Sequence, residues 1–109
     1  MSALTIRRPA HPLRATIELP RSKSVSNRAL IIASLLGDLS LVSDLSHGDD
    51  TRVLLDLLRD RPYTMDCGAG GTTFRFLLAW AAVQNGEEHV VSGIQRLLQR
   101  PHDDLILAL

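Results

Sequence analysis

At Pro20 the sequence changes period, and that change constrains the fold more than any other feature of the chain. Before it, Leu13, Ala15, Ile17 and Leu19 alternate with Arg14, Thr16 and Glu18, the pattern of a half-buried strand. After it, Arg21-Ser22-Lys23-Ser24-Val25-Ser26-Asn27-Arg28 leads into the apolar run Ala29 to Leu36, which Gly37 stops. Residues 25–36 therefore read as a mostly buried helix. Its start carries the cations Lys23 and Arg28 among small polar side chains. Unpaired backbone N–H groups and the positive end of the helix dipole attract anions there. Lysine and arginine add charge-assisted hydrogen bonds to phosphate and carboxylate. The pattern points to a site for a small phosphorylated acid. The same residues also fit a helix capped by Ser22, Ser24 or Ser26 with solvated cations beside it.

Further along, Leu39 to Leu45 reads as a second strand. Asp49 and Asp50 suit a helix N-terminus, and Val53, Leu54, Leu57 and Leu58 form one apolar face that ends at Pro62. Arg52 has Asp56 four residues on as a possible partner. Tyr63 to Cys67 is a short candidate strand. Phe74, Leu77, Leu78, Ala81 and Ala82 make the best helical stripe, closed by Asn85-Gly86. Glu88 to Ser92 is another strand, and Pro101 opens a last helix with Asp103 and Asp104 in its first turn. Alternating strands and helices place the chain in the α/β (α+β) class.

Twelve Lys and Arg balance twelve Asp and Glu. That balance argues against a nucleic-acid partner, which calls for a surplus of basic charge on one face. A single cysteine, Cys67, excludes an internal disulfide, fits a reducing compartment and reads as a small buried residue. His11, His47, His89 and His102 lack metal-ligand spacing, so no metal is expected. No apolar run approaches the ~20 residues of a membrane span, and residues 1–14 lack a signal-peptide core. A cytoplasmic location is the expectation. The apolar end Leu105 to Leu109 has no polar cap and suggests a cut chain.

Two more anchors follow the first. Gly68-Ala69-Gly70-Gly71-Thr72-Thr73 lies between a strand and a helix, with Arg75 in the first turn. Glycines permit close backbone approach, and Thr72 or Thr73 could cap the helix and donate to an anion. A tight turn with a capped helix explains the same residues. Gln99-Arg100-Pro101 is the third anchor, and alone it reads as a surface arginine.

In this order and combination, the three anchors resemble the N-terminal part of the 5-enolpyruvylshikimate-3-phosphate synthase family. Ser22-Lys23-Ser24-Val25-Ser26-Asn27-Arg28 is the specific motif, and the family also carries the Asp49-Asp50-Thr51-Arg52 segment. The resemblance implies repeated βαβαββ units, about one of them here with the start of a second. Residues 1–20 would be strands that pack on the other domain, and residues 21–109 part of the N-terminal substrate-binding domain. Lys23, Ser24 and Arg28 would bind shikimate 3-phosphate. Lys23, Gly71 and Arg100 would hold phosphoenolpyruvate with Thr72 close by, and Arg75 would support the loop. The implied reaction moves the enolpyruvyl group of phosphoenolpyruvate to the 5-hydroxyl of shikimate 3-phosphate and releases phosphate. It serves the shikimate pathway of aromatic amino-acid biosynthesis and needs no cofactor or metal. Its acid–base residues lie in a later part that this chain does not contain, so the fragment alone is expected to be inactive. Two departures stand out: Ala69 replaces a common asparagine, and Pro101-His102-Asp103-Asp104-Leu105 lacks the usual isoleucine-glycine-histidine order. The family enzyme is expected to be monomeric, and the fragment to self-associate or be marginally stable because its apolar end and unpartnered strand seek cover. The competing reading is a non-enzymatic small-anion-binding or assembly domain.

Overall fold

The computed structural model describes residues 2–109, and its elements follow from local chemistry. Helix α1 spans Lys23–Leu35. The Ser22 hydroxyl caps it, accepting from the Val25 N–H at 3.3 Å. Gly37 takes a left-handed φ of 79° just beyond its end. Helix α2, Asp49–Asp60, has acidic residues in its first turn, which complement the dipole, and it ends on Arg61 in the left-handed region. Strand β1, Thr64–Asp66, pairs in parallel with β2, Val90–Ser92, with Thr64 opposite Val90. A parallel pair needs a crossover, and helix α3, Gly71–Ala82, supplies it. Two short helices follow, α4 at Gln95–Leu98 and α5 at Asp103–Ala108.

One core joins these pieces. Leu30 of α1, Leu54 and Leu58 of α2, Met65 and Cys67 around β1, Phe74, Leu77 and Trp80 of α3, and Leu97 of α4 pack together. The buried face of α1 is unusually polar, and its partners explain why. Asn27 Oδ1 accepts from the Thr51 hydroxyl at 2.8 Å, and Ser34 Oγ accepts from the Trp80 indole N–H at 2.9 Å. These two bonds fix α1 against α2 and α3.

The structure corrects several expectations. Leu13 to Leu19 forms no strand: Leu13, Ile17 and Leu19 are 81%, 77% and 83% exposed. A strand exists only where a second one pairs its backbone, and among the described residues nothing offers an edge there. Leu39 to Leu45 is not a strand either. The Asp38 carboxylate accepts from the Ser40 N–H and hydroxyl at 2.9 and 2.6 Å, winding Leu39–Leu41 into a 3-10 turn. That local bond competes with sheet pairing. Arg52 pairs backwards with Asp49 at 2.6 Å, while Asp56 pairs with Arg59 at 2.9 Å. Helix α4 has no signature in the sequence, because four residues show no periodicity. The folded part is thus mixed α and β with a small two-stranded parallel sheet.

Candidate functional site

The starts of the three longest helices are linked through one residue, Asp50. Its carboxylate accepts from Lys23 Nζ at 2.8 Å, which holds the ammonium of α1 over the first turn of α2. Its backbone carbonyl faces the Thr73 hydroxyl of α3 at a long 3.4 Å. Beside them, the Ser26 hydroxyl accepts from the Ser46 N–H at 2.9 Å. Lys23 keeps about half its side chain in solvent. In the sequence Asp50 stands as a dipole partner of its own helix and within the Asp49-Asp50-Thr51-Arg52 segment, and nothing in the local pattern marks it as the link.

At α3 the cap is Gly70, with no side-chain bond, so neither Thr72 nor Thr73 caps the helix. Thr73 is fully buried and turned towards Asp50 instead. Space explains Gly70: a Cβ there would lie 3.1 Å from Thr73 Oγ1 and 3.2 Å from the Cys67 carbonyl. Gly71 is more constrained. A Cβ on it would stand 2.6 Å from Arg100 Nη1 and 3.6 Å from Arg75 Nη1. Two guanidiniums therefore converge on the first residue of a twelve-residue helix. Like charges repel, and the dipole end adds positive potential.

Ion pairing separates the cations. Arg21, Lys23, Arg52, Arg59 and Arg61 each meet a carboxylate. In the folded part, Arg28, Arg75, Arg96 and Arg100 meet none among the described residues. All but Arg96 belong to the sequence anchors. Arg28 does not join the Gly71 group. It lies at an apolar groove of about 400 Å³ between α1 and α3, with Ile31, Ile32, Phe76 and Trp80 among the walls. Ser24 is exposed, and Thr72 is half-buried at the second position of α3. A cavity of about 470 Å³ along residues 42–47 and α2 contains none of the anchor residues. Cys67 is 3% exposed. Burial, helped by the Asp66 carboxylate, pushes its thiol up to about 12, which makes it a poor nucleophile. Among the described residues, no group of three or more His, Cys, Asp or Glu side chains is arranged to hold a metal ion. No described helix is long and apolar enough to cross a membrane.

The family model described as EPSP synthase (3-phosphoshikimate 1-carboxyvinyltransferase) matches residues 7–61. The chain belongs to the EPSP synthase family. A curated relative from Bacteroides fragilis (strain YCH46), named 3-phosphoshikimate 1-carboxyvinyltransferase, is 43% identical over 97 residues, covering 89% of this chain and 23% of the relative. One of the same name from Ralstonia pickettii (strain 12J) is 34% identical over 122 residues, covering 90% and 28%. Another, from Cupriavidus taiwanensis, is 38% identical over 114 residues, covering 84% and 26%. No solved structure matches the chain. The chain spans about a quarter of the length of these EPSP synthase relatives. The first anchor lies inside the family match, whereas Gly71, Arg75 and Arg100 lie beyond it.

Proposed function

We propose that this chain forms part of the substrate-binding surface of an EPSP synthase, which transfers the enolpyruvyl group of phosphoenolpyruvate to shikimate 3-phosphate. The observation that carries the reading is the convergence of Arg75 and Arg100 on Gly71, within 3.6 Å of one point and without a carboxylate. An anion with several acceptor oxygens neutralises both guanidiniums and meets the first N–H groups of α3. Phosphoenolpyruvate, with a phosphate and a carboxylate, suits this group together with Gly71 and Thr72. Lys23, Ser24 and Arg28 receive shikimate 3-phosphate from the α1 side, and the Asp50 link sets Lys23 against both ligands. These groups bind and orient preformed anions through donors already in place.

In this reading, residues 1–20 pack on the second domain and residues 21–109 form part of the first, within a fold of repeated βαβαββ units. The acid–base residues come from elsewhere in the protein, and the substrates are small cytoplasmic metabolites. The arginine pair also supports a second reading, a module that holds inorganic phosphate without chemistry. Calorimetry of the chain against phosphoenolpyruvate, shikimate 3-phosphate and inorganic phosphate separates the two. Selective heat with the two organic phosphates is expected. Heat with inorganic phosphate alone supports the second reading, and no heat with any of the three counts against both.

A further inference from the structure

We propose that His102 is a positioning residue for Arg100, holding the guanidinium over the first residue of α3. This rests on the reading of Arg100 as an anion ligand. Arg100 lies in the turn between α4 and α5, where Gln99, Arg100 and Pro101 are all exposed. An arginine in such a turn has many rotamers open to it, so its placement needs a cause. His102 is the exception in that turn, only 8% exposed.

Two contacts bury it. Its Nε2 lies 3.0 Å from the Leu97 carbonyl, which also accepts the Arg100 N–H at 3.1 Å. A carbonyl only accepts, so Nε2 carries the proton, and the two lone pairs serve both donors. On its other side, the imidazole ring packs against Phe74, the fourth residue of α3, with centroids 4.6 Å apart. Leu97 itself is pressed onto the same helix start: its Cδ1 lies 3.7 Å from the point a Gly71 Cβ would occupy. His102 thus closes a loop, from the backbone just before Arg100 to a ring one turn into α3. Among the described residues the buried Nδ1 meets no hydrogen-bond partner. An unmet polar atom is costly to bury, and the ring stays nonetheless, held by Phe74 and the Leu97 bond.

The test uses the full chain, isotope-labelled, in solution. The first readout needs no ligand: the nuclear Overhauser cross-peak between the Gly71 amide and the Arg100 side chain. The second is the shift of the Gly71 amide on addition of phosphoenolpyruvate. His102→Phe keeps the ring and removes the donor, and His102→Gln keeps a donor at similar reach. We expect His102→Phe to lose the cross-peak while the Leu77 and Trp80 signals stay in place, and His102→Gln to restore it. A cross-peak that survives in His102→Phe overturns the proposal, as does one lost in both variants with the core signals unmoved. If His102→Phe unfolds the chain, His102→Gln decides: a retained cross-peak supports the proposal and a lost one overturns it. A wild-type cross-peak with no amide shift on adding phosphoenolpyruvate defeats the ligand reading of Arg100 and leaves the positioning role standing.

Discussion

The alternating stretch Leu13 to Leu19 and the helical stripe from Phe74 to Ala82 both carry clean hydrophobic patterns, yet only the second buries its apolar face. Leu4, Ile6, Leu13, Ile17 and Leu19 are 77–88% exposed, while Leu30, Leu54, Leu77 and Trp80 are at most 1% exposed. A helix satisfies its own backbone and needs a partner only for its side chains. A strand needs a partner for both. The helices of this chain find one another through Asn27–Thr51 and Ser34–Trp80, and the N-terminal segment finds no edge. Its cost shows in shape: the radius of gyration is 18.2 Å, against about 13 Å for a compact domain of this size.

The largest effect that follows is on the folded side. Trp80 is 1% exposed and donates to Ser34 at 2.9 Å, so Trp80→Ala removes both the centre of the core and the tie to α1. Aromatic-to-alanine changes in cores cost about 3–5 kcal/mol, against a total of about 5–15 kcal/mol for a whole domain. The cooperative thermal transition should be lost. A sharp melt within a few degrees of wild type would show that the folded part does not depend on this core.

At the junction between the two regions stands Lys23. Its pair with Asp50 is half in solvent, so Lys23→Met should cost the fold no more than about 1 kcal/mol. In a complete EPSP synthase carrying this sequence the loss should instead be in turnover. Two charge-assisted contacts at about 1.5–3 kcal/mol each correspond to about a hundredfold or more. Arg59, which among the described residues pairs only with Asp56 and Asp60 on the outer side of α2, is the control. If Arg59→Met lost turnover while Lys23→Met kept it, the site would be misplaced. The 109-residue chain on its own should release no phosphate above background with both substrates present.

A smaller effect reports the core's dryness. The folded chain keeps the Cys67 thiol protonated up to about 12, while the unfolded chain releases that proton near its ordinary value of 9.0. The folded-state value is raised, so its contribution to stability is complete below 9.0 and is lost as pH rises through about 12. The thiol should react with a disulfide reagent at pH 8 only after denaturant is added. Prompt reaction in the native chain would mean that the core around Met65 and Cys67 opens readily.

These contrasts also set what the sequence could reveal. The helical stripe from Phe74 and the acidic start at Asp49-Asp50 were legible because helices are local, and α2 and α3 lie where the periodicity puts them. The strand at Leu13 was misread because pairing is not local. The turn at Leu39 was misread because one Asp38 side chain winds it locally. Lys23, Gly71 and Arg100 were legible as anchors through the family resemblance and the chemistry of anions. Asp50 as a link and His102 as a buried ring were not, since each works through a residue distant in sequence: Lys23, 27 positions from Asp50, and Phe74, packed against His102.

The smallest expected effect tests the other half of the comparison. Removing the chain as far as Pro20 deletes Leu4, Ile6, Leu13, Ile17 and Leu19, none of which is buried, and leaves the Ser22 cap in place. Burial contributes about 25 cal/mol per Å² only where area leaves water, so the folded part should melt unchanged. Association should change instead. An exposed alternating segment is a template for pairing with another chain, and we expect light scattering to report a smaller particle after truncation. Ile17→Lys should reduce association in the same direction, because a charge on the apolar face opposes pairing without touching the core. A truncated chain that melts earlier would mean that the N-terminal segment packs on the folded part in solution. An unchanged particle size in both variants would assign any association to the exposed Ile106, Leu107 and Leu109 of the other end.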